Sequence, residues 1–114
     1  MRQYIQVTTT TSTRAEAERI AEALVEARLA ACVQIVGPVA SVYRWKGDVE
    51  RATEWLCIAK TERRLYDEVE AAIKRLHTYE VPEVLATEVV DGSKDYLVWL
   101  HEELAGPGDA ADRS

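Results

Sequence analysis

Between Val33 and Thr61 the chain carries two β-rich arms joined at Lys46-Gly47, and this pair constrains the fold more than any other feature. Glycine supplies the positive φ that a tight hairpin turn requires, so the arms are expected to pair antiparallel. Each arm is about thirteen residues, or roughly 40 Å at about 3.3 Å per residue. That is longer than a sheet covered by two short helices can use. Gly37-Pro38 interrupts the first arm and is expected to bend it, because proline cannot donate to a central ladder. In the second arm "WLCIA", Trp55 to Ala59, is apolar at every position, the pattern of a strand covered on both faces.

The elements around the hairpin follow from periodicity. "QYIQVT", residues 3–8, alternates with Ile5 and Val7 on one face and predicts a first strand. "TTTTS" then reads as a polar turn, without the glycines of a phosphate loop. Thr13 and Glu16 fit a capping box, the hydroxyl taking a backbone N–H while the carboxylate reaches back. The helix they start should bury Ala17, Ile20, Ala21, Leu24 and Ala27. A second helix opens at Thr61 and runs to His77, with Leu65, Val69, Ala72, Ile73 and Leu76 inward. Residues 83–90 alternate as a fourth strand, and Ser93 caps a last helix carrying Tyr96, Leu97, Trp99, Leu100 and Leu104.

The order βαββαβ plus a C-terminal helix predicts an α+β, ferredoxin-like domain over residues 1–104, with an extended hairpin of the second and third strands. "AGPGDAADRS", residues 105–114, has nothing to bury and is expected to be a disordered tail. The helices cover one face of such a sheet. The second face needs a cover for the 55–59 run, and a partner subunit is the economical one.

Composition narrows the function. The 114 residues hold 14 Lys and Arg against 20 Asp and Glu, a net charge of −6. The basic residues are scattered, with Arg63-Arg64 the densest spot, so nucleic acid is not an expected partner. No apolar run approaches membrane-spanning length and "MRQYIQV" lacks the apolar stretch of a secretion signal. No membrane partner is expected, and the expected address is the cytoplasm. Cys32 and Cys57 form no C-x-x-C spacing and read as reduced thiols packed as small hydrophobes. If the hairpin register runs unbroken from Trp45 opposite Asp48, Cys32 faces Thr61 and Val36 faces Cys57, which puts the thiols beyond disulfide reach.

His77, in "RLHTYEVPEV", is the central candidate for chemistry. It either finishes a helix, favoured by the negative end of the dipole, or contacts a metal or ligand with Tyr79, Glu80 and Glu83. His101, beside Glu102 and Glu103, reads as solvated surface. Trp45, Lys60, Tyr79 and Glu83 are candidates for a ligand site: a lysine just past an apolar strand, near an aromatic and a carboxylate, could bind an anion, or could simply snorkel. There is no Ser-His-Asp ordering, no H-E-x-x-H and no Gly-rich nucleotide fingerprint, so an enzyme is not expected.

"LVEARLAACVQIVGPVASVYRWKGDVERATEWLCIAKT", followed by "LHTYEVPEV" and "YLVWL", resembles the CutA family of divalent-cation tolerance proteins, from about Gln3 to Leu104. The elements are Leu29-Ala30-Ala31-Cys32, Ser41, Tyr43, Trp45, Gly47, Glu54, Lys60-Thr61, His77, Tyr79, Pro82 and Glu83, closed by Tyr96-Leu97 and Trp99-Leu100. The resemblance implies a ferredoxin-like subunit, a homotrimer built by strand contacts, and a role in tolerance of copper and other divalent cations, bound weakly, with no required cofactor. In members with a metal site a cysteine ends the first strand and two histidines follow the second helix. Thr8 and Leu76-His77 stand at those positions, so His77 is the metal ligand the resemblance implies. The alternative it carries is a signalling or scaffold trimer that binds a small anion or a protein partner at inter-subunit clefts.

Overall fold

A computed structural model describes residues 2–105, so the tail expected over 105–114 lies, apart from Ala105, outside the described residues. The elements are β1 (Tyr4–Thr11), α1 (Arg14–Glu26), β2 (Cys32–Trp45), β3 (Asp48–Glu62), α2 (Tyr66–Leu76), β4 (Leu85–Glu88) and α3 (Lys94–Glu102), with one 3-10 turn at Arg63–Leu65. The strands form one sheet in the order β2-β3-β1-β4, every neighbouring pair antiparallel. Two antiparallel steps separate β1 from β2 and β3 from β4, so each helical connection joins parallel strands. This is the split βαβ arrangement of the ferredoxin-like fold.

The helices cover one face. Ile5 and Val7 of β1, Ala59 of β3, Ile20 and Leu24 of α1, and Val69 and Ile73 of α2 form a single buried cluster, which Leu100 and Leu104 join from α3 and just beyond it. Of the predicted inward residues, Ala27 is exposed and Leu76 only half-buried. Arg28 holds α3 in place, its guanidinium donating to the carbonyls of Glu102 and Glu103 at 3.0 Å each. Ala105 belongs to the ordered body too, donating to the Arg28 carbonyl and accepting from Arg64.

The hairpin is the molecule's long axis, and the described chain extends 52 × 27 × 23 Å. Lys46 and Gly47 both take positive φ, 49° and 89°, as a two-residue hairpin turn demands. The register departs from the unbroken one. Val39 pairs with Glu54 but Val36 pairs with Leu56, so Gly37-Pro38 oppose Trp55 alone in a bulge. Cys32 therefore faces Lys60, and Val36 faces Leu56. A one-residue slip moves side chains to the opposite face. Here it turns Val33 and Ile35 toward the helices, opposite Ala59 and Cys57, while Ser41, Tyr43 and Trp45 share the open face with Glu54. Gly37 is required at the bulge because a Cβ there would run into the Trp55 indole.

Two strand boundaries differ from the expected ones. β1 continues through the threonines to Thr11, with Thr9 and Thr11 buried against the helices. Threonine is β-branched and fits a pleated surface, which outweighs its polarity in this run. Thr11 donates to the carbonyl of Thr13, while the Thr9 hydroxyl has no partner among the described residues. β4 is shorter than expected, pairing only with Ile5 to Thr8. Past Thr8 that edge of β1 is finished by the segment after α2.

Candidate functional site

α2 stops at His77, whose backbone is extended at φ −83° and ψ 149°. Its imidazole turns inward and is fully buried. Nε2 donates to the Thr10 carbonyl at 2.7 Å, and Nδ1 accepts the Tyr79 N–H at 3.1 Å. One donating and one accepting nitrogen define the neutral ring protonated on Nε2. The ring thus satisfies a carbonyl of β1 that β4 does not reach. Both nitrogens are committed within the chain, and the helix-end role is the one this geometry displays.

Glu16 completes this corner. Thr13 caps α1 as expected, accepting the Glu16 N–H at 3.1 Å, but the Glu16 carboxylate does not reach back to the cap. It accepts instead from the Thr78 N–H at 3.0 Å and the Thr78 hydroxyl at 2.8 Å, and Ser12 donates at 3.4 Å. Burial pushes its carboxyl up, but the hydrogen bonds from Thr78 and Ser12 outweigh this and leave it below the ordinary glutamate value. α1, α2 and the loop after α2 are tied through one carboxylate.

That tie sets the next residues over the open end of the sheet. The Tyr79 hydroxyl donates to Glu54 Oε2 at 2.7 Å, and Glu54 is only 5% exposed. Burial first, and then this bond to a carboxylate, raise the Tyr79 hydroxyl well above the ordinary tyrosine value. Glu83 accepts from the Thr8 hydroxyl at 3.1 Å. Glu80 lies 3.9 Å from the Lys46 ammonium at the hairpin tip. Between hairpin and loop is a cleft of about 780 Å3, walled by Tyr43, Trp45, Tyr79, Val81 and Pro82 and carrying the carboxylates of Glu54, Glu80 and Glu83.

Of the expected ligand-site residues, Trp45, Tyr79 and Glu83 meet in this cleft and Lys60 does not. Lys60 is six residues along β3 from Glu54, and its ammonium sits 5.6 Å from the centre of the Tyr96 ring. His77 lies behind the cleft wall, packed against Tyr79 with ring centres 4.7 Å apart and planes tilted by 44°. His101 is not solvated surface: its Nδ1 meets the buried Glu62 at 2.5 Å. Cys32 and Cys57 are both free and point to opposite faces, and burial pushes the Cys57 thiol up to about 11. Among the described residues no three His, Cys, Asp or Glu side chains come together as a metal-binding group.

Glu54 enters from sequence only through the family resemblance, and the capping-box motif that names Glu16 does not foresee its bonds to Thr78. Glu54 did carry a signal. Ala52, Leu56 and Ile58 share its face and are half-buried, so a carboxylate among them is out of place unless something receives it.

The family profile described as CutA1 divalent ion tolerance protein matches residues 5–103. The chain belongs to this family. It is 45% identical over 86 residues to the divalent-cation tolerance protein CutA of Thermus thermophilus, covering 75% of this chain and 84% of that one. It is 40% identical over 96 residues to the chloroplastic CutA protein of Arabidopsis thaliana, covering 84% of this chain but 53% of that one. Among solved structures, the periplasmic divalent cation tolerance protein CutA of Archaeoglobus fulgidus superposes with a TM-score of 0.85 at 38% identity, covering 92% of this chain and all of that one.

Proposed function

We propose that this CutA1-family chain acts in divalent-cation tolerance as a homotrimer that binds metal ions, copper among them, weakly and without catalysis. The family match across residues 5–103 carries the reading. The trimer has physical support in the uncovered half of the sheet. Leu56 and Ile58 on the open face are half-buried in one chain, and Val36, Val42 and Val49 of the hairpin are about half exposed or more. Apolar strands left open in this way invite pairing with another copy. Sedimentation equilibrium at micromolar concentration tests this; a single monomeric mass overturns it.

Weak metal binding has a reason in the donor set. A transition metal is held selectively by several ligands in defined geometry, and the described residues of one chain do not gather three. His77 offers Nδ1 to a metal only once the Tyr79 N–H turns away, and only as the neutral ring. Copper binding through His77 is therefore modest in affinity and falls as the pH drops. Calorimetric titration of the tag-free protein with Cu(II) should show His77→Asn weakened and Cys32→Ser unchanged. Equal binding by wild type and His77→Asn refutes the His77 contact.

Free thiols at Cys32 and Cys57 suit a reducing compartment, and we assign the cytoplasm on that ground. Cell fractionation tests the assignment. In one chain Lys60 lies outside the cleft, so an anion site that uses it would have to form between subunits.

A further inference from the structure

We infer that α3 is a hinged strap, closed over the end of the sheet by a polar latch at its C-terminal turn and able to open while the rest of the domain stays folded. The hinge lies just past β4. Val89 donates to the Tyr4 carbonyl at 2.9 Å, and beyond it the chain is exposed through Gly92, with Val90 97% exposed. Hydrogen bonding within residues 90–92 stays local, the Asp91 carboxylate accepting the Gly92 N–H. The helix that follows has nine residues, too few to hold itself in water. Of those residues Leu100 alone is buried, joined by Leu104 just beyond the helix. An element with so little buried apolar surface is one that opens on its own.

The latch is at the other end. The last carbonyls of a helix have no partner within it, and Arg28 takes those of Glu102 and Glu103 at 3.0 Å each. Arg64 takes the Ala105 carbonyl at 2.7 Å, and His101 meets Glu62. Arg28 is the decisive residue. It stands just past α1 at φ 60°, its N–H on the Val25 carbonyl and the Leu29 N–H on the Leu24 carbonyl. That is a helix ending whose left-handed residue is ordinarily glycine. An arginine there strains the backbone, and the hydrogen bonds its side chain makes among the described residues all go to α3. The end of α1 gives up its best residue for a fork across the end of α3. Opening the strap parts the Tyr96 ring from the Lys60 ammonium, now 5.6 Å from the ring centre, and uncovers Glu62, which is 2% exposed when the strap is closed. The strap therefore governs when these two charges at the end of β3 are free.

Native-state hydrogen exchange of the full-length 15N-labelled protein tests the strap. The Leu100 and Glu103 amides should share one opening, with protection at least about tenfold below that of Val7 and Ala59 and a weaker dependence on urea. Arg28→Gly should lower the protection of α3 about tenfold further. The Ile20 and Leu24 amides of α1 should lose far less, because glycine suits the left-handed position. Arg64→Met should lower α3 protection by a smaller factor, and Glu102→Gln, which keeps the carbonyl, should change nothing. If Arg28→Gly does not keep the wild-type amide spectrum, Arg28→Met decides, and it too should lower the protection of α3. Three results overturn the inference. One is exchange of Leu100 and Glu103 only together with Val7 and Ala59. Another is α3 protection unmoved by Arg28→Gly and Arg28→Met. The third is α3 protection that falls as the protein is diluted, which would mean that the helix opens only when copies of the chain part.

Discussion

Both histidines lie against a glutamate more than nine-tenths buried, His77 beside Glu16 and His101 beside Glu62. The two corners are built differently. At His77 the ring bonds only backbone, the Thr10 carbonyl and the Tyr79 N–H, and Glu16 at 3.7 Å spends its oxygens on Thr78 and Ser12. At His101 the ring meets the carboxylate directly, and Arg64 meets the other oxygen of Glu62 at 2.7 Å. The first corner closes a sheet edge and seats a loop over the cleft; the second clamps α3 to the end of β3. A buried His–Glu couple therefore says little about chemistry until the remaining lone pairs and protons are traced.

The comparison is sharpest in the two carboxylates. Glu16→Ala should cost about 2 kcal/mol, because it removes charge-assisted bonds and leaves the Thr78 N–H short of an acceptor. Glu62→Ala should cost about 1 kcal/mol, since Arg64 and His101, 28% and 20% exposed, regain water when it goes. Urea denaturation at one fixed protein concentration measures both. A larger loss for Glu62→Ala would break the distinction drawn between the corners.

Acid separates them further. The Glu16 carboxyl is held below its ordinary value of 4.5, so its folded form binds a proton less readily than its unfolded form. Its contribution is present above pH 4.5 and is lost as the pH falls below that value through the folded pKa. Glu16→Gln should flatten this part of the stability–pH curve. An unchanged slope below pH 4.5 would show that the Thr78 bonds do not favour the charged form.

Much of the fold was legible because it is written in local patterns. The stripe of α1, the Thr13 cap, the Lys46-Gly47 turn and the Ser93 cap each depend on residues a few positions apart. What was not legible depends on distant contacts. The threonines of β1 were read as a turn because polarity was weighed without the strands that bury Thr9 and Thr11. A bend at Gly37-Pro38 is legible, but the bulge there and its one-residue slip, which decides that Tyr43 and Trp45 face the cleft, require the partner strand. Trp45, Tyr79 and Glu83 could be named from sequence. Glu54 meets Tyr79 across 25 positions and Glu16 meets Thr78 across 62, and no spacing motif encodes either pair. Lys60 stands toward the other end of β3 from this cleft, and adjacency to an apolar run does not say which end of a strand meets it.

The histidines themselves should give the smaller effects, again unequal. His77→Gln should cost about 1 kcal/mol, since the Thr10 carbonyl and Tyr79 N–H both lose a partner in a closed space, and exchange of the Tyr79 amide should quicken. His101→Gln should cost about half as much, roughly 0.5 kcal/mol. Glu62 keeps Arg64, a glutamine amide can still donate toward it, and the site is open enough for water to complete the set. Hydrogen exchange adds a readout that bulk stability lacks. In His101→Gln the Tyr79 amide should exchange as in wild type, because no hydrogen bond or ion pair among the described residues joins that corner to the loop. Quickened exchange at Tyr79 in the His101 variant would mean that the two corners open together, and that the clamp on α3 also governs access to the cleft.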